Sequence, residues 1–136
     1  LDEYQKIYGD MSANESIASI LEYDSNIDVK QKNVSLYTNS SKGSKGAIGI
    51  IGAGNFTASM IVPTLSKLQA NIKYIASSKG LSGTILAKKY KIQNSTSDAQ
   101  LVFDDKEVDA VIITTRHNLH EEQVICALKS GKHVFV

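Results

Sequence analysis

The chain has 136 residues, 42% hydrophobic and 21% charged, with a net charge of +1 and three histidines. That is enough chain for a single core burying roughly two-thirds of the unfolded surface. With neither an 18-residue apolar run nor a signal-peptide pattern, nothing points to a membrane span or export, and without a basic stripe bulk nucleic-acid binding has no electrostatic support. A cytoplasmic location is expected.

Residues 1 to 10 can form a short amphipathic helix through Leu1, Tyr4, Ile7 and Tyr8, ended by Gly9. Ser16 to Tyr23 reads as a strand, although Ile17, Ile20 and Leu21 also suit a helix face. From Asp24 to Gly46 the chain turns polar and rich in Ser, Asn, Lys and Gly, the composition of a linker. The charge divides at the same place: residues 1–46 carry 5 Lys against 7 acids, net −2, whereas 47–136 carry 10 Lys and Arg against 7 acids, net +3. We therefore expect an extension over 1–23, a linker over 24–46 and a domain over 47–136.

The domain opens on a β-branched run, Ala47 to Ile51, which breaks at Gly52-Ala53-Gly54 and passes into Asn55-Phe56-Thr57 and a helix with Phe56, Met60, Ile61, Leu65 and Leu68 at helical spacing. Strand, tight turn and helix in that order suit a dinucleotide. Gly52 permits the turn, Gly54 removes the Cβ that would hold a pyrophosphate off the backbone, and the helix start offers unpaired amides. Thr57 stands at the third position, where Gly or Ala is usual, so a Cβ and a hydroxyl must be accommodated there.

A second strand follows at Ile72 to Ala76 and a helix at Leu81 to Tyr90, joined by Ser77-Ser78-Lys79-Gly80. At this junction an acid would hydrogen-bond the ribose of NAD, and none is present. Two hydroxyls and a lysine suit a 2′-phosphate, which favours NADP over NAD, against the alternative of a plain loop that meets the ribose through its backbone.

Ile92 to Ser95 is a short third strand, Ser97 with Gln100 a capping box for a two-turn helix through Leu101, Val102 and Phe103, and Asp104 to Glu107 a solvated turn. Val108 to Thr115 is a near-continuous apolar strand, as expected when both faces are covered. It leads into Arg116, His117, Asn118 and His120, with Asn118 and Glu121 as a second cap-like pair for a helix from Leu119 to Ser130. Cys126 lies in that helix as a structural thiol, and His133 to Val136 is a fifth strand. His117 and His120 fall short of the three or four ligands of a zinc site; contact with cofactor or substrate and bonding to backbone or water both remain open for them. Alternating strands and helices call for a parallel, doubly wound α/β sheet in the order 3-2-1-4-5, with ligands beyond the carboxyl ends of strands one and four.

Gly52-Ala53-Gly54-Asn55-Phe56, the strand from Val108 to Thr115 with the helix start at His120, and Ala127 to Val136 together resemble the amino-terminal Rossmann-fold domain of Gfo/Idh/MocA oxidoreductases. The resemblance implies that Gly52, Gly54, Asn55 and Phe56 line the pyrophosphate, that Ser77 holds the ribose-reading position with Ser78 and Lys79 beside it, and that Thr114 and Thr115 border the nicotinamide ribose. The family often has Thr-Pro-Asn where this chain has Thr115-Arg116-His117, and His120 matches a histidine common at this helix start. It also implies hydride transfer on a sugar or polyol, with a lysine in Glu-Lys-Pro that would follow Val136, and a carboxyl-terminal substrate domain. The chain then reads as a fragment truncated after the fifth strand and without catalytic residues of its own. Residues 1–23 resemble the end of a zinc-type alcohol dehydrogenase domain, as in bidomain oxidoreductases. The alternative is a non-catalytic nucleotide-sensing or assembly module. Strand five would present an open edge, expected to pair with Ser16 to Tyr23 or with a second copy in a homo-oligomer.

Overall fold

A computed structural model describes residues 31–37 and 46–136. The expected helix over 1–10 and strand over Ser16 to Tyr23 lie outside the described residues. Six strands form one sheet: β1 (Asn33–Ser35), β2 (Ala47–Ile51), β3 (Ile72–Ala76), β4 (Asn94–Thr96), β5 (Val108–Ile113) and β6 (His133–Phe135), in the order β1-β4-β3-β2-β5-β6. All neighbours are parallel except β1 and β4, which are antiparallel. Leaving β1 aside, this is the expected order 3-2-1-4-5. The added strand comes from the polar stretch read as linker: Asn33 pairs with Thr96 and Ser35 with Asn94. At the other edge, β6 pairs with β5 alone among the described residues.

The helices are α1 (residues 55–67), α2 (Leu81–Tyr90), α3 (Gln100–Asp104) and α4 (His120–Lys129), the last preceded by a 3-10 turn, His117–Leu119. None of the described helices is long and apolar enough to cross a membrane. Because side chains alternate along a strand, β2 sends Ile50 into one core layer, with Val62 of α1 and Leu86 of α2, and Ile51 into the other, with Val102 and Phe103 of α3 and Ala127 of α4. Half-buried Cys126 packs against this second layer.

Three local expectations fail. Phe56 and Met60 are each 57% exposed, and α1 instead buries Thr57 and Val62. Its first turns widen into a π-helical turn, Thr57–Ile61, in which the Val62 N–H donates to the Thr57 carbonyl. Pro63 follows at once and lacks the amide that would continue the ladder. Neither expected cap forms. Asp98, not Ser97, accepts from the Gln100 amide at 3.0 Å, and Gln100 turns to Asp104; the start of α4 has no side-chain cap, the 3-10 turn preceding it instead.

Nor is Asp104 to Glu107 simply solvated. Lys73 Nζ lies 2.6 Å from Asp105 Oδ2 and 2.5 Å from Glu107 Oε2, with the Lys73 and Asp105 side chains only 14% and 16% exposed. Burial alone would raise the Asp105 pKa, but hydrogen bonds from Lys73, the Glu107 amide and Tyr74 outweigh it and hold the carboxyl below 3.8. Burial likewise opposes the Lys73 charge, and its bonds to Asp105 and Glu107 outweigh that and raise it above 10.5. The depressed carboxyl stabilises the fold above its unfolded pKa and loses that contribution as pH falls through the folded value. The raised amine stabilises below 10.5 and loses its contribution as pH rises through its folded value. Thermal midpoints should therefore be level between these limits and fall on both sides. Lys73→Met should cost about 2 kcal/mol at neutral pH, typical of hydrogen bonds to charged groups, and flatten both limbs. An unchanged acid limb in that variant would refute the assignment to this pair.

Candidate functional site

Where β2 ends, Gly52 adopts φ 110°, a conformation that side-chain-bearing residues rarely take, and the chain turns into α1. A Cβ at Gly52 would stand 2.8 Å from the backbone carbon of Thr114, just past the end of neighbouring β5, so glycine is required twice over. Gly54 differs. Its φ is not positive, and a Cβ there would meet nothing within 4 Å.

The open space beside Gly54 is a cleft of about 830 Å³ along the carboxyl ends of β2, β3 and β5. Gly52, Ala53 and Gly54 form its middle; Ser77, Ser78, Lys79, Ser82 and Ser97 line one end, and Thr114, Thr115, Arg116, Asn118, Leu119 and Gln123 the other. The lining contains Lys79 and Arg116 and no carboxylate. An anion is thus matched by charge, by open backbone and by the start of α1.

Eight of the twelve residues expected at the site line this cleft: Gly52, Gly54, Ser77, Ser78, Lys79, Thr114, Thr115 and Arg116. Within that set Ser77 is partly engaged, its Oγ accepting from the Gly83 amide at 3.2 Å. Gly83 permits this closeness, because a Cβ there would sit 2.8 Å from the same oxygen. Ser78 and Lys79 are exposed.

Asn55, Phe56, His117 and His120 are not among the lining residues. Asn55 is exposed on the first turn of α1, where its carbonyl accepts from Ser59. His120 Nε2 is 2.9 Å from the Thr115 carbonyl, which can only accept, so that nitrogen carries the proton. The His117 and His120 rings meet edge to face at 5.3 Å. Thr115 in turn donates to Gln123 Oε1 at 2.6 Å, and α4 thereby holds the end of β5 in place.

Sequence reasoning passed over Ser82, Ser97 and Gln123, whereas Asn118 and Leu119 fall in the stretch after β5 that was expected at the ligand. A usable signal exists for Ser97, which follows a parallel strand at its carboxyl end, where ligands of such sheets collect. Gln123 carries none, since it reaches the cleft by standing one helical turn beyond the β5 junction.

A family model described as "Oxidoreductase family, NAD-binding Rossmann fold", GFO_IDH_MocA, matches residues 47–136. The chain is 28% identical over 86 residues to 1,5-anhydro-D-fructose reductase from Ensifer adhaerens, covering 63% of this chain and 26% of the reductase. It spans between 12% and 28% of the length of the curated relatives it matches. Among solved structures, KijD10, a 3-ketoreductase from Actinomadura kijaniata in complex with TDP-benzene and NADP, aligns with TM-score 0.62 at 22% identity over 68% of this chain and 29% of that one, a likeness of fold. Levoglucosan dehydrogenase in complex with NADH and L-sorbose aligns with TM-score 0.56 at 29% identity, over 65% of this chain and 26% of that one.

Proposed function

The chain belongs to the Gfo/Idh/MocA oxidoreductase family, with its NAD-binding Rossmann domain at residues 47–136, and from that premise we propose that the cleft holds a nicotinamide dinucleotide, NADP in preference to NAD, for hydride transfer on a sugar or polyol. Gly54 carries the reading. Its glycine is explained neither by backbone conformation nor by protein packing, since its φ is not positive, a Cβ there would meet nothing within 4 Å, and the residue lines the cleft. Close approach of a ligand is the remaining reason.

The pyrophosphate lies against Ala53 and Gly54, whose backbone donors replace its hydration. Ser78 and Lys79 meet the adenosine ribose, where a hydroxyl and an ammonium complement a 2′-phosphate and an acid would repel it. Thr115, steadied through Gln123 and His120, and Arg116 face the nicotinamide half. When bound, the nicotinamide supplies the hydride acceptor or donor; this domain binds and orients it. A sugar or polyol substrate is supported by the reductase and dehydrogenase named among its relatives.

Thermal-shift titration with NAD, NADH, NADP and NADPH tests the proposal. A ligand at about 100 times its dissociation constant adds about 2.7 kcal/mol and should move the midpoint by several degrees. The phosphorylated pair should give the larger shift, and Lys79→Ala should weaken NADPH about tenfold while leaving NADH nearly unchanged. A larger shift with NADH would overturn the NADP preference, and no shift with any of the four would overturn the binding reading.

A further inference from the structure

We infer that Thr57 and Thr114 form a hydroxyl clasp that sets the direction of the Ala53 amide toward the cleft, making both positioning residues for the pyrophosphate. Thr57 is fully buried at the position where the turn usually has a third glycine or alanine. Its Oγ1 lies 2.9 Å from the Gly52 carbonyl oxygen and 2.6 Å from Thr114 Oγ1, and Thr114 Oγ1 lies 3.0 Å from that same carbonyl. One hydroxyl donates to the other, and the remaining proton has the Gly52 carbonyl as its nearest acceptor from either threonine, the Ile51 carbonyl lying farther from Thr114 Oγ1 at 3.3 Å.

The carbonyl is thereby held inward, in the junction between α1 and β5. A trans peptide is planar, with its C=O and the following N–H on opposite sides. Holding the Gly52 oxygen inward turns the Ala53 N–H outward, and Ala53 lines the cleft. That amide has no acceptor among the described residues. Glycine at 52 leaves this peptide free to rotate, since its φ of 110° is reached without a side chain, so the hydroxyls supply the restraint that the glycine does not.

The target of the aimed amide rests on the dinucleotide reading, whereas the clasp can be tested without a ligand. Thr57→Val keeps the shape and removes the hydroxyl; Thr57→Ser keeps the hydroxyl and loses the methyl. In ligand-free protein, the Gly52 carbonyl-carbon and Ala53 amide resonances should move in Thr57→Val and stay near their wild-type positions in Thr57→Ser. Unmoved resonances in Thr57→Val would overturn the clasp whether or not any nucleotide binds. In binding titrations, Thr57→Val should weaken NADPH, NADH and ADP-ribose alike by about tenfold, because all three share the pyrophosphate, with Thr57→Ser within about threefold of wild type. Wild-type affinity in a folded Thr57→Val, or an equal loss in Thr57→Ser, would overturn the positioning role. If wild-type protein binds none of the three, the dinucleotide target falls and the resonances alone decide the clasp.

Discussion

Gly54→Val is expected to raise the dissociation constant for NADPH about a hundredfold while changing stability by less than about 1 kcal/mol. A Cβ at Gly54 has no protein atom within 4 Å and the backbone angle there is not in the positive region, so the fold is expected to accommodate the substitution. The new side chain occupies the place where the pyrophosphate would touch the backbone. A hundredfold loss corresponds to about 2.7 kcal/mol, the scale of one or two hydrogen bonds to a charged group. Gly52→Ala is the contrasting variant. Its Cβ would strain a φ of 110° and press on the Thr114 backbone at 2.8 Å, so it should lose stability and binding together. Calorimetric titration beside thermal melting separates the two. If Gly54→Val bound as tightly as wild type, no phosphate would lie against the turn.

The second large effect concerns the strand beneath the turn. Gly49 lies in the middle of β2, and a Cβ there would stand 2.2 Å from Val102 Cγ1, with Val108 Cγ1 at 3.5 Å. Val102 is completely buried in α3 and cannot swing into solvent. Gly49→Ala should therefore cost about 3 kcal/mol, the upper end of overpacking penalties, and lower the melting temperature by roughly 10 °C. Combining it with Val102→Ala removes the opposing methyl, and the double variant should be more stable than Gly49→Ala alone. Denaturant unfolding of the four proteins in this cycle measures the coupling. Additive losses would mean that the two residues do not oppose each other.

Much of the frame is legible in the chain. Ala47 to Ile51 and Ile72 to Ala76 have the expected bounds, because each is a mostly apolar run closed by turn residues, and the helix from Leu81 to Tyr90 also keeps its expected bounds. The order of the five parallel strands was expected from the alternation of strands and helices together with the dinucleotide turn. The inner face of α1 was not. Hydropathy selects Phe56 and Met60, but the buried position belongs to Thr57, whose hydroxyl is satisfied by partners from Gly52 and from a strand 57 residues away. A polar side chain can be a core residue when such partners exist, and no local window contains Thr114. The same limit hid β1: three polar-flanked residues have no strand signature of their own, and only the open side of β4 gives their backbone groups partners.

For the site, Gly52, Gly54 and the Ser77-Ser78-Lys79 junction could be read from the sequence because turn geometry and ribose chemistry demand particular residue types at fixed offsets from a strand. Ser82 and Gln123 could not, since they belong to separate elements and reach the cleft only after the strands align their carboxyl ends. The sequence by itself determined the order of strands and helices and the glycine turn, both written in local periodicity and backbone freedom. Tertiary structure decided that the threonine at the third glycine position is buried against Thr114, that His120 holds Thr115 instead of lining the cleft, and that residues 33–35 extend the sheet. The first and the last depend on hydrogen bonds between groups far apart in the chain, which exist only once the sheet has brought their partners together, whereas the His120 bond spans five residues and depends on the turn between β5 and α4.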